Sequence, residues 1–173
     1  ASTKLGALCL HATPLPLYRG FAGINWQIIN GQSHIILRAF RLANRIDNGD
    51  LILDEKGNFI QYEIDLRNEK HLSEIFDEYE SLHIKGINRI LDIVVQNKIF
   101  FQKQNETLAT YTCHRGPSDG EIDWNENTDY LFNFIRAQTR PYSGAFTYFK
   151  GKKIKIWKLK PRHEFSNYVG RIS

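Results

Sequence analysis

The chain has 173 residues, of which 42% are hydrophobic and 24% charged, the balance of a soluble globular protein of one domain, or of one domain with a small appendage. No apolar run approaches the roughly 20 residues needed to cross a bilayer, and Ala1 to Leu10 holds one lysine and too short an apolar stretch for a signal peptide, so a cytoplasmic location and no membrane partner are expected. The net charge of +4 and a pI near 9.0 suit an anionic substrate, a nucleotide diphosphate or RNA, and select neither.

Leu5 to Leu10 is short and apolar and reads as a buried strand. His11 to Gly20 is proline-rich, ends in glycine and reads as a loop. Phe21 to Asn30 carries Ile24, Ile28 and Ile29 at helical spacing and stops at Asn30-Gly31, a good C-cap. Ile35 to Ala43 is a second strand, and Asp47-Asn48-Gly49 a turn. Leu51 to Leu53 and Phe59 to Ile64 form a hairpin around Glu55-Lys56-Gly57-Asn58. A long amphipathic helix fills Glu69 to Asn97; Leu72, Ile75, Phe76 and Tyr79 begin its apolar stripe, and Ile87, Ile90, Leu91 and Val94 continue it. Gly86 is where that helix would break. Thr107 to Thr112 is extended, and Cys113 to Asn125 is a loop. Asn127 or Thr128 caps a further helix running through Thr139, with Tyr130, Leu131, Phe134 and Ile135 on its apolar side. Ala145 to Phe149 and Lys152 to Leu159 form a last hairpin across Lys150-Gly151.

Strand, loop, helix and strand in that order imply a parallel pair joined by a crossover, a piece of an α/β sheet. The expected organisation is a core over residues 1–112 and a helix-and-hairpin subdomain over residues 113–173. The chain contains no methionine and enters a buried-looking strand almost at once, so a fragment, or a mature chain that has lost its start, is expected. Ligands of such sheets bind beyond the carboxyl ends of the strands. His11 lies at that end of the first strand and Asp47 just past the end of the second, so the two are expected to meet over the sheet edge.

His11 reads either as a base, because its neutral imidazole can take a proton near physiological pH, or as a strand-end hydrogen-bonding cap. Asp47 either orients that imidazole or serves the turn alone. Two prolines stiffen the Thr13 to Gly20 loop, and its Arg19 either binds a carboxylate or phosphate or pairs with a nearby acid. Cys9 and Cys113 give neither a disulfide framework nor a zinc spacing, and no metal site is expected.

Two blocks carry a family resemblance. The first is Leu10-His11-Ala12-Thr13-Pro14-Leu15-Pro16-Leu17-Tyr18-Arg19-Gly20 with Asn25-Trp26, Ile28-Ile29-Asn30-Gly31 and Ile46-Asp47-Asn48-Gly49-Asp50. The second is Arg115-Gly116-Pro117-Ser118-Asp119-Gly120-Glu121-Ile122-Asp123-Trp124, Asn133-Phe134-Ile135-Arg136-Ala137 and Arg140-Pro141-Tyr142-Ser143-Gly144-Ala145-Phe146-Thr147. In this order they resemble the formyltransferases that use 10-formyltetrahydrofolate, a family that includes methionyl-tRNA formyltransferase and the sugar N-formyltransferases.

The resemblance implies an α/β fold, a partial doubly wound sheet of the formyltransferase type with a small C-terminal hairpin and helix. It implies His11 as the base that takes the amine proton and Asp47 as its positioning partner. Cys9 stands where the family usually has an asparagine that holds the formyl oxygen, and a thiol is a weaker donor. Leu15, Pro16, Arg19, Gly20, Asn44, Ile46 and Gly49 would line the pocket for 10-formyltetrahydrofolate. Thr13, Arg136 and Tyr142 would meet the acceptor. Ile35-Ile36-Leu37-Arg38 replaces the family's Thr-Gly-Val-Thr run, and the family's opening strands and helices are not seen.

The expected acceptor is a nucleotide-linked amino sugar, because Phe21-Ala22-Gly23-Ile24-Asn25-Trp26 resembles the helix entry of the sugar enzymes. A methionyl-tRNA acceptor is the alternative, resting on Lys150, Lys152, Lys153, Lys155, Lys158, Lys160 and Arg162. Lys153 and Lys155 alternate with Ile154 and Ile156, however, as on the wet face of a half-buried hairpin, so a nucleic-acid partner is not expected. A third reading is a truncated member that binds folate without turnover. The apolar C-terminal hairpin and helix offer a homodimer surface.

Overall fold

Alternation organises the sheet. In β3 (His34–Arg41) the odd-numbered Ile35, Leu37 and Ala39 are fully buried on one face, while Arg38 and Phe40 point to the other. The computed structural model describes residues 5–67, 70 and 72–160. Strand β1 (Leu8–His11) pairs antiparallel along one edge of β3, with Leu8 opposite Arg41, Cys9 opposite Phe40 and His11 opposite Arg38. A two-residue strand, β2 (Arg19–Gly20), lies between them in sequence and outside this sheet. The other edge of β3 holds β5 (Gln61–Asp65) against His34 to Arg38 and β4 (Leu51–Leu53) at Phe40, and β6 (Phe100–Gln102) extends the sheet from β4.

The α/β class stands, with a sheet and a C-terminal hairpin, but the expected parallel pair is corrected: β1 and β3 run antiparallel. A parallel return needs a crossover long enough to carry the chain back along the strand. Helix α1 (Gly23–Ile29) has 7 residues and spans only about 10 Å at 1.5 Å per residue. The proline loop before it runs out to pair β2 in parallel with β7 (Tyr111–Thr112). The chain then re-enters the sheet at the end it left, since His11 faces Arg38 and β3 begins at His34.

Helix α2 (Leu72–Val95) runs unbroken through Gly86. A Cβ at position 86 would lie 2.7 Å from Leu10 Cδ2 and 3.1 Å from Tyr62 Cε2, so this glycine lets the helix sit close on the sheet. The buried line of its second half is Gly86, Ile90 and Ile93; the expected Ile87 and Leu91 are exposed instead. The helix start expected at Glu69 lies outside the described residues, as does Arg162.

Asn127 caps α3 (Thr128–Arg136) by accepting the Tyr130 N–H, and Leu131, Phe134 and Ile135 turn inward. Hairpin β8 (Ala145–Phe149) and β9 (Lys152–Ile156) follows, with Lys150 and Gly151 both at positive φ in its turn. Only Ala145 and Phe146 of the hairpin are buried, and even Ile154 is exposed, so β9 is wetter than its alternating lysines and isoleucines imply. One apolar core joins Ile28, Ile35, Leu37, Ile64, Ile75 and Ile93 to Ile122, Leu131, Ile135 and Ala145, so residues on both sides of position 112 share it. A second, smaller cluster of Leu15, Phe40 and Leu51 with Cys9 and Phe59 lies on the opposite face of the sheet. Among the described residues, no helix is long and apolar enough to cross a membrane.

Candidate active site

Strand alternation puts Cys9 and His11 on the same face of β1, over Phe40 and Arg38 of β3. The His11 ring meets Phe40 edge-on at 6.1 Å between centroids. Its Nε2 lies 3.3 Å from Asp47 Oδ2, and the two side chains are 21% and 17% exposed, so the pair is partly open to solvent. Nε2 nevertheless has no hydrogen-bond partner, whereas the ring bonds the Tyr18 backbone. Nε2, itself shielded from solvent, is the ring atom that faces the Asp47 carboxylate oxygen. Burial pushes the His11 pKa below its ordinary value, against the opposing pull of the Asp47 charge and the Tyr18 hydrogen bond.

Asp47 reaches His11 by a route that strand ends did not foretell. In an antiparallel pair the end of β3 lies at the start of β1, so the loop after Arg41 must fold back toward Arg38 to bring Asp47 to His11. The loop is tied down at several points. Arg41 N–H donates to Asp50 O at 2.8 Å, and Gly49 sits so close to Arg41 that a Cβ there would lie 1.5 Å from the Arg41 carbonyl oxygen. Asp47 is at φ 50°, a left-handed conformation that aspartate tolerates better than most residues. Its carboxylate accepts the Gly20 N–H at 2.7 Å, and its carbonyl and that of Gly49 accept the Gln104 amide at 2.7 Å each.

The remaining site residues divide by exposure. Cys9 is half-buried; burial first, and the nearby Asp47 charge second, raise its thiol pKa and keep it neutral. Pro16 is partly exposed in the loop, and Asn44 and Ile46 are exposed on the loop that carries Asp47, Ile46 at 55%. Three of the residues expected at a ligand are buried. Thr13 is fully buried, its methyl against Gly23. Leu15 is fully buried in the cluster with Phe40 and Leu51, and its carbonyl accepts Arg38 Nη1 at 2.5 Å. Arg19 is 0% exposed and its guanidinium is taken by Glu106, Gln104 and Tyr111, so it pairs with a nearby acid. Arg136 and Tyr142 line separate cavities. Arg136 shares one of about 240 Å³ with Phe132 and Trp157, and Tyr142 one of about 310 Å³ with Asn25, His114 and Arg115. Neither lining includes His11 or Asp47.

Sequence reasoning missed Arg38 and Gln104. Arg38 braces the proline loop through Leu15 O, and it also bonds Gln61 and covers the Phe59 ring at 4.8 Å. An arginine in the middle of an apolar strand was itself the signal, since arginine is buried only when paired. Gln104 had none, because its partners on the Asp47 loop are backbone carbonyls.

The chain is similar to known proteins throughout its length. A family profile described as the formyl transferase C-terminal domain matches residues 116–173. The chain is 34% identical over 171 residues to the bifunctional polymyxin resistance protein ArnA of Wigglesworthia glossinidia brevipalpis, covering 98% of this chain and 25% of that protein. It is 32% identical over 155 residues to methionyl-tRNA formyltransferase of Alkaliphilus oremlandii, covering 90% of this chain and 47% of that protein. The structure of the Helicobacter canadensis N-formyltransferase in complex with folinic acid and dTDP-3-aminofucose superposes with a TM-score of 0.73, covering 93% of this chain and 56% of that chain at 21% identity. This chain therefore spans between a quarter and a half of the length of the two sequence relatives, and its likenesses are to the formyltransferase family.

Proposed function

We propose that the protein transfers a formyl group from 10-formyltetrahydrofolate to the amine of a nucleotide-linked amino sugar. The observation that carries the reading is the approach of His11 and Asp47, Nε2 to Oδ2 at 3.3 Å, between side chains that are each partly exposed. The sugar acceptor is favoured by the likeness to the N-formyltransferase with folinic acid and dTDP-3-aminofucose.

The residues present fit a folate donor. Ile46 and Leu42 expose apolar side chains beside Asp47, suited to a flat ring, and the buried Asn48 Oδ1 is left without a partner among the described residues. Asn44, Ile46 and Gly49 would contribute from this loop, and Pro16 and Gly20 from the proline loop. When bound, the donor supplies an activated formyl carbon. His11 Nε2 would take the proton that the attacking amine sheds and return it to the donor nitrogen that leaves as its bond to the formyl carbon breaks, and Asp47, 3.3 Å away, would stabilise the imidazolium between the two transfers. Cys9, on the same face of the strand, offers only a neutral thiol to the formyl oxygen as negative charge gathers there. Tyr142 is the better-placed acceptor contact. Its cavity includes His114 and Arg115, two and three residues past the β7 strand that pairs with β2 at Arg19 and Gly20.

A second reading, methionyl-tRNA as acceptor, draws on the 32% identity to a methionyl-tRNA formyltransferase. Assays with 10-formyltetrahydrofolate and, in turn, dTDP- or UDP-linked amino sugars and charged initiator tRNA separate the two. Formylated sugar alone is expected. Formylated methionyl-tRNA alone would move the assignment to the second reading. No product with either acceptor, together with retained folate binding, would make the chain a folate-binding member without turnover.

A further inference from the structure

Gln104 carries no charge and belongs to no motif of the reaction, yet it is only 8% exposed and uses both ends of its amide. Its Nε2 donates to Asp47 O and Gly49 O at 2.7 Å each. Its Oε1 accepts from Arg19 Nε at 3.2 Å and Nη2 at 2.8 Å. The orientation is forced, because the backbone partners only accept and the guanidinium partners only donate; a flipped amide would set like against like at every contact. Arg19 is in turn held by Glu106, through Nη1 at 2.9 Å and Nη2 at 2.7 Å, and by the Tyr111 hydroxyl at 3.0 Å.

These bonds close a ring. Arg19 precedes Gly20, whose N–H grips the Asp47 carboxylate from the side-chain end. Gln104 grips the same residue from the carbonyl end. Both grips lead back to the Arg19–Gly20 strand, which is itself fixed against β7. Asp47 is thus clamped at both ends in a left-handed conformation that few side chains choose unaided.

We infer that Gln104 is a positioning residue for Asp47: its amide sets the turn that aims the carboxylate at His11, and Arg19, pinned by Glu106, sets the amide. The kinetic consequence rests on the proposed formyl transfer. The geometric one does not.

The test uses Gln104→Glu and Gln104→Leu in the full chain, with steady-state kinetics and residue-resolved amide exchange. The glutamate variant is decisive, because it keeps an acceptor for Arg19 and adds a charge to that pairing, while the donor to the Asp47 and Gly49 carbonyls is replaced by an oxygen that repels both. Both variants are expected to lower kcat about 10- to 100-fold, the usual effect of losing a supporting partner of an active group, with KM for the amine within about threefold. The Gly20 amide, which reports on the Asp47 carboxylate, is expected to exchange about tenfold faster, while the Ile35 and Leu37 amides of the central strand stay unchanged. A glutamate variant with near-normal kcat and a protected Gly20 amide overturns the inference. So does equal acceleration at Ile35 and Leu37, which would mean general loosening. If neither variant folds, Glu106→Gln, at a side chain that is 57% exposed, loosens Arg19 alone. An unchanged Gly20 amide there refutes the relay, and a faster one supports it. Should the unaltered protein formylate no acceptor, the functional reading fails, and the Gly20 amide still decides the role of Gln104.

Discussion

Asp47→Asn isolates the charge at the centre of the site. The amide oxygen of asparagine can still accept the Gly20 N–H that now meets Oδ2, so the turn is kept and the carboxylate charge alone is lost. At the 3.3 Å separation from His11 Nε2, a full unit-charge interaction is worth about 5 kcal/mol at an effective dielectric near 20, a ceiling because both side chains retain contact with water. The floor is the difference between a charged and a neutral hydrogen bond to the imidazolium, about 1 kcal/mol. Between these limits the rate should fall about 10- to 1,000-fold, at 1.36 kcal/mol per factor of ten. The assay is kcat for formyl transfer at saturating acceptor, followed across pH. The base role proposed for His11 needs its neutral form, so activity should be lost as pH falls through its pKa. The Asp47 charge pulls that pKa up while burial pushes it down. Without the carboxylate the acid limb should therefore move to lower pH. A drop in kcat below threefold, or an acid limb that moves up, would refute the pairing of these two residues as the working unit.

Cys9→Asn should raise kcat, because an amide N–H replaces a weak thiol donor at the position proposed to meet the formyl oxygen; one such donor is worth roughly a hundredfold. A rate unchanged in the asparagine variant would remove Cys9 from that role. Gly86→Ala sets two effects against each other. Alanine gains about 1 kcal/mol in helix propensity, but its Cβ would sit 2.7 Å from Leu10 Cδ2 and 3.1 Å from Tyr62 Cε2. Overpacking of that kind costs about 1–3 kcal/mol, so urea unfolding should show a loss of about 1 kcal/mol.

Much of the local structure was legible because its cause is local. The Asn127 cap, the Lys150-Gly151 turn, the helix over Gly23 to Ile29 and the apolar stripe that opens α2 all follow from residues close in sequence. Strand direction was not legible, because β1 and β3 differ from a parallel pair only in where the intervening chain re-enters, and that depends on β2 finding β7 some 90 residues later. The same distance hid the second half of the site. His11 and Asp47 lie in motifs that sequence can mark, but the groups that hold Asp47 in place come from Gln104, and those that occupy Arg19 come from Glu106 and Tyr111, through contacts that leave no pattern in composition or spacing. Arginine in a proline-stiffened loop reads equally as a ligand contact or an ion-pair partner until burial shows its guanidinium fully engaged by the fold.

The burial of His11 also bears on folding. A histidine in the unfolded chain titrates near 6.5, and burial lowers that value in the folded protein despite the Asp47 carboxylate beside it. As pH falls below about 6.5, the unfolded chain therefore binds the His11 proton more readily than the folded one, and stability must fall with pH over the window from that value down to the folded pKa. Above the window the effect is absent. The charged and titratable neighbours are Asp47, Cys9 on the same strand face and Arg38 across the pair, and of these only the Asp47 charge pulls the value up. His11→Phe keeps the edge contact with Phe40 and removes the titration. Urea unfolding of both proteins between pH 5 and pH 7.5 should show a slope in the unaltered protein that the phenylalanine variant lacks. A slope of the opposite sign, with stability rising as pH falls and vanishing in the variant, would mean that the Asp47 charge outweighs burial and that the resting imidazole is held protonated, a state in which it could not serve as the base.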